Sequence, residues 1–234
     1  MISFSIPRNS ADRLSRLGLA CCSDNSLLDH IALRVGDSQV RFSATNGKLL
    51  ASLLISSEDI IGSGDCILDR EQFTTAMKTA VKHSGRIAFR IDDAEARITS
   101  GTTSSVVRRL VGTYPNVDHV WTKPVGRRWL PTMSSLDHQL TGIAHKIAGS
   151  KQPLLFSSPV EHGNRLERLW AVPGSQPDES LSLAALRSTV SAPAYWSDYE
   201  LAVLVMPVSR GDAERQLDLS PHALSLPQVA ALAA

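Results

Sequence analysis

The first half of the chain repeats one order of strand and helix patterns, and this repeat restricts the folds that the chain can adopt. Residues 2–6 alternate apolar and polar side chains, as a half-buried strand does, and a helical pattern follows. Three strand-like runs come next, separated by glycine-containing turn dipeptides, at 30–35, 40–44 and 49–55. The order strand, helix, three strands then recurs between residues 66 and 110. This half of the sequence therefore predicts one supersecondary unit used twice.

The helical segments are amphipathic, and each has signals for its start. In the first helix, Asn9 or Ser10 is the expected N-cap, and the apolar face carries Leu14, Leu17 and Cys21. In the second, Asp69 and Gln72 form a capping box, and the helix runs through Val81. These two helices are expected to pack their apolar faces against the strands.

A second unit is predicted after a linker at 123–126. It begins with a strand at 128–132, followed by a helix that Ser134 or Ser135 caps and whose apolar face holds Leu136, Leu140, Ile143 and Ile147. Further strands are expected at 154–157, 166–172 and 201–208, and residues 210–234 are expected to form an extended tail. The expected domains are therefore 1–122 and 127–209.

Bulk composition excludes several classes of protein. The 234 residues include 24 Lys and Arg against 23 Asp and Glu, a net charge of +1, so any polyanion-binding surface depends on where the charges lie. Three cysteines, two of them adjacent, give neither a disulfide framework nor a zinc spacing. No run reaches the roughly 20 apolar residues of a membrane span, and no targeting signal is evident. We expect a cytoplasmic protein that does not contact membranes.

No recognisable catalytic pattern is present. Gly62-Ser63-Gly64 lacks the third glycine and the helix of a phosphate loop, and the histidines show no paired metal-ligand spacing. We expect no enzyme activity, no cofactor and no metal. Basic residues on the polar helix faces are candidates for contact with a polyanion, although such residues are ordinarily just solvated: Arg13, Arg16, Arg70, Lys78, Lys82 and Lys146.

Three short strings, in order, resemble the bacterial DNA polymerase III beta sliding clamp family. ATNGKLLA at 44–51 is similar to the family's hairpin ATDGHRLA, GTYPN at 112–116 to its G-x-[FY]-P-[DN], and VLVMPV at 203–208 to its terminal VVMPM. The resemblance implies an α+β DNA clamp fold with two domains, each with helices on one face of antiparallel sheets. The first domain resembles the middle domain of that clamp and the second its C-terminal domain.

In that family the three strings converge on a hydrophobic pocket for client peptides. Carried over, the resemblance implies a pocket of Leu28, Thr45, Gly47, Lys48, Leu50, Pro115, Val120, Leu204, Met206, Pro207 and Val208. Leu49 and Ser209 replace residues that are commonly basic in the family. The ordinary alternative for the apolar members is a place in the core of a sheet.

The resemblance also implies a mechanism and partners. Clamps close a ring of six domains around duplex DNA, as proliferating cell nuclear antigen does, and bind polymerases and clamp loaders through linear motifs. A two-domain chain is expected to close the ring as a homotrimer, associated with the nucleoid, with the helices facing the DNA without sequence specificity. The alternative is a clamp-like module that modulates a resident clamp without forming a ring. A further hypothesis is that QLDLS at 216–220, which resembles a client peptide, occupies a clamp pocket.

Overall fold

The computed structural model describes residues 1–24, 26–117, 128–131, 137–149, 157–160, 194–197 and 200–205. Twelve strands lie within them: β1 Ile2–Ile6, β2 Ile31–Val35, β3 Gln39–Thr45, β4 Leu49–Ser56, β5 Gly64–Leu68, β6 Ile87–Ile91, β7 Glu95–Ser100, β8 Thr103–Leu110, β9 Arg128–Pro131, β10 Ser157–Val160, β11 Ala194–Ser197 and β12 Leu201–Val205. The three α-helices of this part are α1 Arg8–Leu17, α2 Arg70–Ala80 and α3 His138–Ala148, and short 3-10 helices occupy Gly18–Ala20 and Leu27–Asp29.

All described strands join one antiparallel sheet in the order β1-β6-β7-β8-β5-β2-β3-β4-β12-β11-β10-β9. Alternate residues of each strand point to opposite faces, and one face is covered by the helices. Phe42 lies at the centre of that buried face, with its ring centroid 6.3 Å from Phe4, 5.6 Å from Phe73 and 5.8 Å from Phe89. Leu14 of α1 and Met77 of α2 are fully buried in the same core.

The sheet passes without a break from the first predicted unit to the second. β12 pairs antiparallel with β4, from Leu201 opposite Leu53 to Val205 opposite Leu49. Helix α3 contacts α1, β4 and β12, so the helices form one layer. The predicted domain boundary at 122–127 and the tail at 210–234 lie outside the described residues.

Two predicted helix starts are wrong and one is confirmed. Helix α1 begins directly after Pro7, which is the N-cap residue and has an extended backbone; its apolar ring has no oxygen with which to cap the helix. Helix α3 is capped by Asp137, not by Ser134 or Ser135, and the Asp137 carboxylate accepts hydrogen bonds from the amides of Gln139 and Leu140. Asp69 caps α2 as predicted, accepting a hydrogen bond from the Gln72 amide at 3.0 Å.

Strand β10, Ser157–Val160, overlaps the strand expected at 154–157 at Ser157. Residues 154–156 and the strand expected at 166–172 lie outside the described residues. Pairing with β9 sets this register: Ser157 lies opposite Pro131 and Val160 opposite Arg128. The register of a strand is fixed by its pairing with the neighbouring strand, and the periodicity of one segment carries no information about that pairing.

The predicted repeat is visible in residues as well as in element order. IALRV in β2 aligns with IAFRI in β6. The first residue of α1, Arg8, donates through Nε to the Val81 carbonyl at the end of α2, at 2.9 Å. Arg70, the first residue of α2, donates in turn to the Cys22 carbonyl beyond the end of α1, at 3.1 Å. Each repeat therefore ties its helix start to the other helix's end.

The Arg70 tie also compensates a buried carboxylate. Its Nη1 lies 2.6 Å from Oδ1 of Asp29, whose side chain is only 13 % exposed, in an ion pair rather than a well-aligned hydrogen bond. A second, longer contact of 3.9 Å reaches Glu71. Removing the guanidinium would leave the Asp29 charge buried without its partner, which costs more than the pair itself contributes.

Arg70→Gln is therefore expected to lower the free energy of unfolding by about 2 kcal/mol, measured by urea denaturation. The matched control is Arg8→Gln at the equivalent position, where no buried carboxylate depends on the guanidinium and the expected loss is about 0.5 kcal/mol. Adding Asp29→Asn to Arg70→Gln should recover part of the loss. Equal losses for the two arginine variants would contradict this account.

The outer edge of β1 is closed by the segment that joins β4 to β5. Ser3 exchanges both backbone hydrogen bonds with Ile61, at 2.9 and 2.8 Å. The Ser5 amide donates to Asp59, and the Ser5 carbonyl accepts from the Ser57 hydroxyl and from Arg86. Every outward-facing backbone group of Ser3 and Ser5 is thus paired, so this edge is not open to another strand.

Asp59 is the anionic centre of this closure. Hydrogen bonds from the hydroxyls of Ser5 and Ser57, at 2.5 and 2.6 Å, lower the pKa of its carboxyl to about 2 from the ordinary 3.8. Because the folded-state pKa is lowered, the stabilisation is present above pH 4 and is lost as the pH falls from about 4 through about 2.

We expect Asp59→Asn to remove this pH dependence. Between pH 4 and pH 2 the free energy of unfolding of the unmodified protein should fall more steeply than that of the variant, and the two curves should converge at the acid end. Chemical denaturation at several pH values in this window measures both slopes. Parallel curves would show that the Asp59 carboxylate contributes nothing to the folded state.

Candidate functional site

A small apolar cluster lies on the face of the sheet away from the helices. Leu50 and Leu204 are each only 4 % exposed, although the residues on either side of them in sequence belong to the core under the helices. Their side chains therefore point to the opposite, outer face. Leu204 lies directly opposite Leu50, and Leu50 directly opposite Thr45, so the three form a row across β12, β4 and β3.

The hairpin between β3 and β4 fixes one side of this row. The Thr45 hydroxyl donates to the Leu49 carbonyl at 2.8 Å and accepts from the Gly47 amide at 3.1 Å. Asn46 accepts from the amides of Lys48 and Leu49. Gly47 has φ +84°, a left-handed conformation that glycine adopts without strain. This network holds the exposed Lys48 at the rim, while Leu49 is buried in the core.

The segment Gly112–Val117 runs over the outer faces of β2, β3 and β5 and leaves a cleft of about 350 Å³. Burial raises the pKa of Tyr114, whose hydroxyl lies near the Thr45 backbone without a well-formed hydrogen bond among the described residues. Pro115 is exposed at the mouth of this cleft. Leu28 is half-buried in the short 3-10 helix, whose Leu27 packs so closely on Gly112 that a Cβ there would lie 3.0 Å from a Leu27 methyl carbon.

The structure thus brings together part of the predicted pocket. Thr45, Leu50 and Leu204 form one row, and Gly47 and Lys48 lie in its hairpin. Pro115 lies on the segment that crosses the outer face of β3, and Leu28 lies in the 3-10 helix that contacts β3. Val120, Met206, Pro207 and Val208 lie outside the described residues. Tyr114 was not predicted as a pocket residue, although it belongs to the GTYPN string that drew attention to Pro115.

The predicted polyanion contacts divide into two groups. Lys78, Lys82 and Lys146 are exposed on the helix layer and form no ion pair within the described ranges. The three arginines are engaged within the molecule, Arg13 with Glu200 at 3.7 Å, Arg16 with Asp12 at 2.6 Å, and Arg70 with Asp29.

Arg8 is an exposed cation that sequence reasoning missed. It reaches the carbonyl end of α2, near Lys78 and Lys82 in the chain. The signal that identifies it is its equivalence to Arg70 in the repeat. Positive side chains at the end of a helix are also stabilised by the helix dipole.

The described part of the chain meets none of the requirements of a metal site, a reactive thiol or a membrane-spanning helix. No group of three His, Cys, Asp or Glu residues is placed there to hold a metal ion. Burial raises the pKa of Cys21 to about 12 and that of Cys66 to about 11, so neither thiol is a reactive thiolate at neutral pH. The helices described are too short and polar to cross a bilayer.

Comparison by sequence finds neither a matching family model nor a matching curated protein. Solved structures do match. The DNA polymerase III beta subunit of Thermotoga maritima superposes with a TM-score of 0.61 at 7 % identity, over 93 % of this chain and 68 % of that one.

Two further matches are similar in extent. The DNA polymerase sliding clamp of Pseudomonas aeruginosa gives a TM-score of 0.55 at 18 % identity, over 89 % of this chain and 66 % of that one. The Helicobacter pylori beta clamp bound to a DNA ligase peptide gives 0.51 at 12 % identity, over 88 % and 66 %.

The chain spans about two thirds of the length of these proteins. At such identities the likeness concerns the fold, and it agrees with the α+β clamp architecture that the three sequence strings predicted. The chain therefore has the fold of the bacterial DNA polymerase III beta subunit, the sliding clamp.

Proposed function

We propose that this chain is a subunit of a ring that encircles duplex DNA and tethers replication proteins to it. The observation that carries the proposal is the single layer of helices on one face of a continuous sheet, with Lys78, Lys82 and Lys146 exposed on the layer's free side. Lysines so placed can contact phosphates without reading sequence. The role requires no catalysis and no cofactor.

An open sheet edge supports self-association. In β8, the Arg109 amide donates to the Ala94 carbonyl on the β7 side. Because the backbone groups of successive residues point to alternate sides of a strand, those of Ser104, Val106 and Arg108 face away from β7. Arg108 is already paired with Asp69 and Gln72. Ser104 and Val106 have no backbone partner on that side in the described residues, so β8 offers an edge that β1 does not.

A ring of six clamp-type domains needs three copies of a chain with two. We propose this homotrimer, in which the β8 edge of one subunit meets a different edge of the next in a head-to-tail contact. The homotrimer would work at the nucleoid, loaded onto DNA by a clamp loader. The competing proposal is a clamp-like module that acts on a resident clamp without closing a ring.

Light scattering and DNA retention test the ring together. We expect a mass three times that of one chain, and retention on nicked circular DNA that is lost when the DNA is linearised. Lys78→Gln with Lys82→Gln should lower the slope of the salt dependence by about 0.9 for each lysine that contacts a phosphate. Arg34→Gln with Arg41→Gln, the same charge change on the outer face, should leave it unchanged. A stable monomer would overturn the ring and favour the modulator.

We further propose that the outer-face row and its surroundings bind client peptides. Thr45, Gly47, Lys48, Leu50 and Leu204 would form one wall, with Leu28 and Pro115 beside it and Val120, Met206, Pro207 and Val208 completing the pocket. The support is the apolar row next to a rigid hairpin, since a rigid apolar groove captures leucine and aromatic anchors at little entropic cost. DNA polymerase is the expected client. The Helicobacter pylori clamp was solved with a ligase peptide.

Leu204→Lys is expected to weaken binding of a fluorescein-labelled peptide containing QLDLF by at least about tenfold, measured by anisotropy, because a charge replaces an apolar wall. Leu54→Lys is the matched control. Leu54 lies on β4, on the same outer face as Leu50, but it is already 39 % exposed, so affinity should not change. Melting temperatures confirm that both variants fold. Equal affinities for the two variants would place client binding elsewhere.

A further inference from the structure

The two repeats place a pair of arginines at equivalent positions on the outer face. Arg34 of β2 lies directly opposite Arg41 of β3. Arg90 of β6 lies directly opposite Arg97 of β7, at the matching positions of IALRV and IAFRI. Like charges directly opposite each other on neighbouring strands are destabilising. Each pair therefore calls for a compensating anion.

The first repeat supplies that anion itself. Asp65 lies opposite Arg34 on β5, and its two carboxylate oxygens accept hydrogen bonds from the Arg34 guanidinium at 3.0 Å each. This bidentate geometry is the strongest arrangement of a carboxylate with arginine. The charge of the Arg34 and Arg41 pair is thereby reduced within the fold.

The second repeat lacks the carboxylate. The residue opposite Arg90 on β1 is Ser3, in the place that Asp65 holds in the first repeat. Arg97 bonds to Glu95 on its own strand at 3.1 Å. Arg90 is exposed and has no ion pair in the part of the chain that the structure describes. Arg90 is thus left without the cross-strand carboxylate that its equivalent, Arg34, has, while Arg97 is compensated by Glu95.

A groove of about 490 Å³ lies over Arg90 and Arg97. Its lining adds the hydroxyl-bearing Ser3, Ser5 and Thr99 to Arg90 and Arg97. Asp59 also borders the groove, but its carboxylate is held by Ser5, Ser57 and Arg86. Arg90 is therefore the charged residue of this lining that has no ion pair among the described residues.

Apolar side chains lie at both ends of the same row. Following the register, Ile61 bridges Ser3, Ser3 faces Arg90, Arg90 faces Arg97, and Arg97 faces Val106. Ile61 is 65 % exposed and Val106 50 %. Phe4 and Phe89 border the groove, but both rings are buried in the core, so no aromatic face is offered for stacking on bases.

We infer that this groove binds an acidic segment of a partner protein, with carboxylates on Arg90 and Arg97 and flanking apolar residues on Ile61 and Val106. Charge complementarity identifies the acidic centre, and the exposed apolar ends favour a peptide over a nucleic acid strand. The site lies on the opposite face from the helices and is separate from the row of Leu50 and Leu204. It goes beyond the proposed ring and holds whether or not the ring closes.

Binding of a fluorescein-labelled peptide, ALEDELA, at low salt tests the inference by anisotropy. We expect Arg90→Gln and Arg97→Gln each to weaken binding by about tenfold, the effect of losing one charge-assisted hydrogen-bonding group. Ser3→Asp, which places in the second repeat the carboxylate that the first repeat has, should weaken it similarly. Arg34→Gln and Arg41→Gln are the matched controls and should leave affinity unchanged. The peptide ALQNQLA should not bind.

Several results would overturn the inference. These are no binding of ALEDELA, an equal loss in the Arg34 and Arg90 variants, or an unchanged affinity in Ser3→Asp. Labelled oligothymidylate that binds more tightly than the peptide, and loses that binding in Arg90→Gln, would assign the groove to nucleic acid instead. Arg90→Gln should not lower the melting temperature, because it relieves a like-charge pair, and a clear drop would show that Arg90 serves the fold.

Discussion

The pairing of β12 with β4 is the interaction on which the arrangement of this molecule depends. It joins the strands before residue 111 to those after residue 127 in one sheet, through five facing residue pairs, from Leu201 and Leu53 to Val205 and Leu49. On the helix side it brings α3 against α1 and sets Glu200 beside Arg13. On the outer side it sets Leu204 beside Leu50. One ladder thus aligns the helix layer and completes the apolar row on the other face.

The two repeats share one backbone arrangement but differ in the charged contacts that their equivalent arginines make. Arg8 and Arg70 hold equivalent places: each starts one helix and donates a hydrogen bond to a carbonyl at or beyond the end of the other helix. Only Arg70 also forms an ion pair with a buried carboxylate, that of Asp29. The outer arginine pairs are equivalent too, and they differ in whether Asp65 or Ser3 stands beside them. Backbone geometry is retained between the repeats, while the position of the compensating carboxylate is not. Such differences mark the positions where the second repeat is free to meet something outside the chain.

On the helix layer, the arginines and the lysines differ in whether they form ion pairs within the molecule. Arginine presents a planar fork suited to fixed pairs, and Arg13, Arg16 and Arg70 all form such pairs within the molecule. Lysine is a flexible, strongly hydrated point charge, and Lys78, Lys82 and Lys146 stay exposed. In the function that we propose, such lysines would form and break contacts with phosphates as the chain slides along DNA.

The local elements follow from short-range patterns in the sequence. Period-two alternation located the strands of the first unit, Asp69 identified the start of α2, and Asn46-Gly47 identified the hairpin that carries Thr45 and Lys48. These signals act between residues a few positions apart, so they are legible along the chain. Aligning IALRV with IAFRI also shows from sequence alone that Arg34 and Arg90 hold equivalent positions. Contacts between distant segments emerge only in the folded chain: Leu204 lies beside Leu50, Arg70 neutralises Asp29, and Asp65 has no counterpart beside Arg90. Those contacts depend on strand register between distant segments, and register is set by the whole sheet rather than by any one segment.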